Sequence, residues 1–210
     1  KKPLASLCID GNPAVEVDDF LGTLQRGFAR HGIDTRLYKQ IPASGCPQVL
    51  SYTARRSWSV VTYLSLAELR IRDEEGRQLA SAYRSALAKT GQPQRATLKA
   101  EQRGWVKGRD DCWKAADLAA CVRDSYTLRI AELQARYQLL PAQAQVRYQC
   151  GANAANDMQV RFYATEPATL IAERGDRSEL MYQQPAASGA RYAGRNSWLW
   201  EHHGEATVVW

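Results

Sequence analysis

Three short stretches in the last third of the sequence carry the side chains best suited to chemistry at a surface. They are Tyr148-Gln149-Cys150, Ser188-Gly189-Ala190-Arg191-Tyr192 and Leu199-Trp200-Glu201-His202-His203-Gly204-Glu205-Ala206. The Ser188 hydroxyl can donate and accept a hydrogen bond, and Gly189 lets the chain turn tightly or approach a partner with no side chain in the way. Arg191, Arg195 and His202 supply nearby cationic groups, the imidazole being mostly neutral at pH 7 because histidines ordinarily titrate near about 6.5. A Ser-Gly pair standing alone is an ordinary turn. Tyr192, Trp198 and Trp200 are expected to pack in a core or along its rim, as aromatic residues on short strands usually do. His202 and His203 do not form a metal site on this reading, since consecutive strand residues point to opposite faces. No nucleophile stands out with its base, and no pair of carboxylates falls in a catalytic pattern. The chain is therefore read as a non-enzyme without catalytic residue, metal or cofactor. His31 is expected to cap a helix end, and Arg109-Asp110-Asp111 to form a solvated or ion-paired one.

The elements around these stretches fall into three groups. From Val146 onward the sequence is strand-like: Val146 to Cys150, Met158 to Tyr163, Ala168 to Glu173, Ser178 to Gln183, Ala190 to Tyr192, Trp198 to His202 and Ala206 to Trp210, separated by Gly, Asn, Asp and Pro. Short strands at near-even spacing predict a small antiparallel β-barrel. At the other end, Leu4 to Ile9 and the turn Asp10-Gly11-Asn12-Pro13 precede a helix with Asp18 or Asp19 as N-cap, an apolar stripe Phe20, Leu21, Leu24 and Phe28, and a stop at His31-Gly32. Leu37-Tyr38, Val49 to Thr53, Trp58 to Leu66 and Glu68 to Arg72 follow as strands, the last ending at the turn Asp73-Glu74-Glu75-Gly76. From Leu79 to about Leu140 strong helix formers dominate, broken at Gly91-Gln92-Pro93 and around Cys112 to Cys121, which predicts a helical hairpin or bundle. Gly76 to Arg84 can either finish the first group as a strand or open the helices; helix from Leu79 is favoured.

With 210 residues, 45% hydrophobic and 24% charged, the chain has the make-up of a globular protein of one to three domains. No run approaches the ~20 apolar residues of a membrane span, and Lys1-Lys2-Pro3-Leu4-Ala5 lacks a signal-peptide core, so an exported protein is expected here in its mature form. Five cysteines, none in a CxxC, favour disulfides in an oxidising compartment over a zinc ribbon or redox site. The net charge of +6 is uneven: +3 over residues 1 to 84, +4 over 85 to 146 and −1 over 147 to 210. The basic residues are interspersed with acids and form no stripe, so nucleic acid is not expected as a partner.

The spacing of the three stretches resembles that of the MliC/PliC family of periplasmic and membrane-bound inhibitors of c-type lysozyme, whose pattern runs Y-x-C, S-G-x-x-Y, and F-W-x-K-G-x-x-A. Tyr148, Cys150, Ser188, Gly189, Tyr192, Trp200 and Ala206 keep their places, while Leu199, His202 and His203 stand where the family has Phe, Lys and Gly. The resemblance implies a protein partner, a c-type lysozyme, with Ser188, Gly189, Arg191, Tyr192 and His202 as the binding residues. In the family the Ser-Gly loop enters the active-site cleft and its hydroxyl bonds to the catalytic carboxyls, one a protonated acid and one ionised. The family's lysine adds a charge-assisted bond, which His202 would supply as pH falls toward about 6, or which Arg191 or Arg195 would take over. Because c-type lysozymes are strongly basic, the near-neutral last third is the part expected to meet the enzyme.

Two further resemblances concern the rest of the chain. Gln102-x-x-Trp105-x-x-x-Arg109-Asp110-x-Cys112 followed by Cys121-x-x-x-x-Tyr126-x-x-Arg129-x-x-x-Leu133 is similar to LprI-like domains, a family also associated with lysozyme inhibition. It implies a Cys112–Cys121 disulfide tying two helices at their connecting loop, where the chain must reverse. Val17-Asp18-Asp19-Phe20, Gly27 to Gly32 and Tyr52 to Trp58 resemble a family of proteobacterial envelope lipoproteins, which implies a periplasmic or outer-membrane location and a lipid anchor in a full-length precursor. The expected fold is thus α+β in three parts: a small α+β domain over 1-78, disulfide-tied helices over 79-140 and a β-barrel over 141-210. The alternative function is a non-catalytic structural or adhesive envelope protein that binds cell-wall polymer or another envelope protein through its basic first two parts. Cys8, Cys46 and Cys150 are left without assigned partners, and family members often pair the cysteine matched by Cys150 with one near the C-terminus that this sequence lacks.

Overall fold

The computed structural model describes residues 4–42, 45–59 and 61–210. Lys1, Lys2 and Pro3 of the N-terminal stretch lie outside the described residues, as does Val60 within the expected strand Trp58 to Leu66. The chain divides into two compact units, Lys1–Arg77 and Gln78–Trp210.

The first unit is a mixed sheet with one helix. Strand β1 (Ser6–Asp10) is central, parallel to both β2 (Asp34–Tyr38) and β3 (Val49–Trp58), and β3 forms an antiparallel hairpin with β4 (Thr62–Arg72). Helix α1 (Phe20–Arg30) lays Phe20, Leu21, Leu24 and Phe28 on Leu7, Ile9, Leu50 and Tyr52. Alternation along β1 sends Cys8 to the opposite face, where it bonds to Cys46 with Cα atoms 5.8 Å apart. That disulfide closes a 38-residue separation, for which chain entropy predicts about 4 kcal/mol of stabilisation. Asp19 does hold the N-cap position of α1, but its carboxylate makes no capping bond and accepts instead from Arg26 and Thr23. The expected break at Ala67 is absent. β4 is continuous because pairing with β3 runs from Val49↔Arg72 to Trp58↔Thr62 and takes up the irregularity as a bulge at Arg55/Arg56.

The expected turn Asp73 to Gly76 is the first turn of helix α2 (Glu74–Lys89): the Asp73 carboxylate accepts from the Gly76 N–H at 2.9 Å, and Glu74 and Glu75 suit the positive helix end. Gly76 to Arg84 is therefore helical. Helices α3 (Gln92–Asp110) and α4 (Leu118–Arg136) complete a three-helix group, with a 3₁₀ turn at Asp111–Lys114 between them. Asp117 caps α4 by accepting from Ala120 N–H, and Cys112 is bonded to Cys121 across the reversal. Leu79, Ala82, Ala86, Leu98, Ile130 and Leu133 form the core of these helices. Arg129, 4% exposed, ties α4 to α3 by donating to Gln102 at 3.2 Å, and within α4 it donates to Glu132 at 2.7 Å.

The last seven strands are a meander in which each pairs antiparallel with its neighbours in sequence: β5 (Ala144–Tyr148), β6 (Met158–Tyr163), β7 (Thr169–Arg174), β8 (Arg177–Gln184), β9 (Ala190–Ala193), β10 (Trp198–His202) and β11 (Glu205–Val209). The sheet curls into a half barrel. Its inner face buries Met158, Val160, Leu170, Met181, Tyr192 and Leu199 as one cluster, against which Tyr148 from the first strand and Val208 from the last both pack. The first and last strands are not paired with each other among the described residues. On the outer face, Tyr163, Ile171 and Leu180 pack with Ala135 of α4, and the Tyr182 hydroxyl donates to the Leu128 carbonyl.

Candidate functional site

Ser188 and Gly189 lie in the connection from β8 to β9, both exposed, at the same end of the half barrel as the β10–β11 turn. Register brings these segments together: Ala190, the first residue of β9, pairs with Glu201 of β10. Gly189 is held against β10 so closely that a Cβ there would stand 2.2 Å from the Glu201 carbonyl oxygen, and its φ of +66° is left-handed. The glycine is thus demanded by the protein's own backbone, whatever the loop meets outside. The Trp200 indole N–H donates to the Ser188 carbonyl at 2.9 Å, bracing the loop on which the exposed Ser188 stands.

Alternation along β10 sorts the neighbours. Trp198, Trp200 and His202 share the outer face, where Arg191 stands across from Trp200 and stacks its guanidinium 5.7 Å from the Trp198 ring. Pro185, Ala187, Ser188, Arg191, Trp198 and Trp200 line an open concavity of about 520 Å³. His202 stacks 5.5 Å from Trp200 and 3.9 Å from His203. The opposite-face reading of the two histidines fails, because His203 leaves the strand at φ +54° and, with Gly204 at φ +82°, makes the two-residue hairpin turn. Among the described residues, no group of three or more His, Cys, Asp or Glu is placed to hold a metal ion.

Leu199 and Tyr192 face inward. Tyr192 is 7% exposed and packs edge-on against Phe162, so within the family-derived set it supports the loop from beneath and offers no surface to a partner. Burial, reinforced by the negative charge of Glu201, raises the phenols of Tyr148 and Tyr192. Ser188, Gly189, Arg191 and His202 come together as a surface. Arg195 does not join them: it occupies the Gly194–Ser197 turn at the other end of β9 and β10, so it cannot replace His202. The bracing role of Trp200 was missed by sequence reasoning, although its two-residue offset from His202 already put both on one face. Cys150 is a free thiol, half-buried against the inner cluster.

The family model for the membrane-bound lysozyme-inhibitor of c-type lysozyme matches residues 148–210, the segment from the end of β5 through β11. No protein of curated function and no solved structure matches the chain. Among the described residues no helix is long and apolar enough to cross a membrane.

Proposed function

We propose that the protein inhibits c-type lysozyme by inserting the Ser188-Gly189 loop into the enzyme's active-site cleft. The observation that carries this reading is the braced loop: an exposed serine hydroxyl, its backbone held by Trp200 and by the close approach of Gly189 to β10, within the segment matched by the inhibitor family. A loop ordered before binding loses little conformational freedom on association, so its contacts count nearly in full. The cleft it meets holds one protonated and one ionised carboxyl, and a hydroxyl satisfies both by accepting from the first and donating to the second. Arg191 and His202 flank the loop and supply cationic partners for the ionised carboxyl.

The two disulfides fit an envelope location, where they persist. The test is inhibition of a c-type lysozyme, with a g-type enzyme as control, in a cell-wall clearing assay. Ser188→Ala is expected to weaken inhibition by roughly 10- to 100-fold, the worth of a hydrogen bond to a charged group. Unchanged potency would show that the loop is not what enters the cleft.

A further inference from the structure

We propose that the opposite end of the half barrel carries a second binding site, for a small organic acid, in the cleft between α4 and strands β8 to β11. The cleft has a volume of about 660 Å³, in the range that takes an organic molecule rather than a lone ion or water. Its walls are Glu132 and Arg136 of α4, Arg177, Glu179 and Tyr182 of β8, the Gly194–Ser197 turn and Trp210.

Among the described residues, two polar groups in that wall have no hydrogen-bond partner. The Ser197 hydroxyl belongs to a residue only 6% exposed and makes no hydrogen bond, and the buried indole N–H of Trp210 makes none either. Leaving such groups unpaired is costly, and an acceptor-bearing ligand would relieve that cost. The charges at the rim agree. Arg136 is engaged by Glu132 at 3.2 Å, whereas Arg177 and Arg195 form no ion pair among the described residues. Arg177 is already ordered by stacking 5.3 Å from the Trp210 ring. Two free guanidinium forks, a hydroxyl and an indole N–H all suit a carboxylate, which accepts from each. Glu179, also without an ion-pair partner among the described residues, suits a hydroxyl or amino group on the same ligand. The chemistry required is a carboxylate next to a hydrogen-bond donor.

Citrate, a hydroxy acid, is the probe. In a titration followed by two-dimensional NMR at about 0.15 M salt, where loose surface pairing is screened, citrate is expected to shift the Trp210 indole resonance saturably while the Trp198 and Trp200 indoles stay in place. Arg177→Gln and Arg195→Gln alter exposed side chains, and each should weaken the response at least roughly tenfold. Lysozyme inhibition by both variants should match the parent, which separates this site from the Ser188 loop. No saturable shift, a response unaltered in both variants, or inorganic phosphate binding as tightly as citrate would overturn the assignment.

Discussion

The two ends of the β9–β10 hairpin are built on opposite plans. At the Ser188 end the strands project a braced loop outward: Trp200 holds the Ser188 carbonyl, and Gly189 rests on Glu201. At the Gly194 end the turn and α4 line a common, larger cavity, and among the described residues the polar groups of Ser197 and Trp210 are left without partners. One end is preorganised to fill a cavity elsewhere; the other is a cavity waiting to be filled. The same two strands support both because successive residues alternate faces and the curled sheet has helix packing on one side of it.

A pair of glycine substitutions tests this contrast most severely. Gly189→Ala forces a Cβ within 2.2 Å of a backbone oxygen that cannot give way, at a left-handed φ, so the loop must move. Inhibition should fall by about 2–4 kcal/mol, as for loss of an interface hot spot, read from inhibition constants. Gly194→Ala meets first the Ser197 hydroxyl at 2.7 Å, the end of a side chain that can rotate. Inhibition should not change, and the melting temperature should drop only slightly. Equal effects at the two positions would erase the distinction between the ends.

Next in size is an alkaline effect confined to the cleft end. Burial, helped by Glu132, pushes the Tyr182 phenol up to about 12, against about 10 in an unfolded chain. The folded state therefore holds this proton more tightly, and its contribution is complete below pH 10 and lost as pH rises through 12. On the order of 1–2 kcal/mol should disappear over that window in denaturant melts of the parent. Tyr182→Phe should lower stability by a constant amount and remove that part of the pH dependence, while leaving inhibition at neutral pH unaltered.

At the loop end, Trp200→Phe keeps the ring and deletes the bond to Ser188. A loss of about 0.5–1.5 kcal/mol in inhibition is expected with little change in stability, since Trp200 is 39% exposed. The smallest effect concerns His202. His202→Lys should strengthen inhibition a few-fold by restoring a fixed cation beside the loop, and His202→Ala should weaken it a few-fold, both read from inhibition constants at pH 7. No change in either variant would transfer the cationic role to Arg191.

Much of this architecture could be read from residue order. The alternation of Met158 to Tyr163 and Trp198 to His202 marks strands whose bounds the structure repeats, because a period of two survives any packing that keeps one face dry. The breaks at Gly91 and around Cys112 likewise separate the helices. Asp73 was harder. Asp-Glu-Glu-Gly suits a turn and a helix start equally, and the decision came from which backbone N–H the Asp73 carboxylate could reach.

What the sequence determined by itself is the type and order of the elements, the Cys112–Cys121 pair, and the grouping of Ser188, Gly189 and His202 as one pattern. Local periodicity encodes the elements, whereas the pair and the grouping came from resemblance to family patterns. Tertiary structure decided everything that depends on which distant strands meet. It paired Cys8 with Cys46, buried Tyr192, placed Trp200 under Ser188, and moved Arg195 to the far end with Ser197. It also gave Gly189 its reason, since the carbonyl that excludes a side chain there lies twelve residues away on the neighbouring strand. Contacts of that range arise from sheet register and curl, which no local pattern of residues specifies.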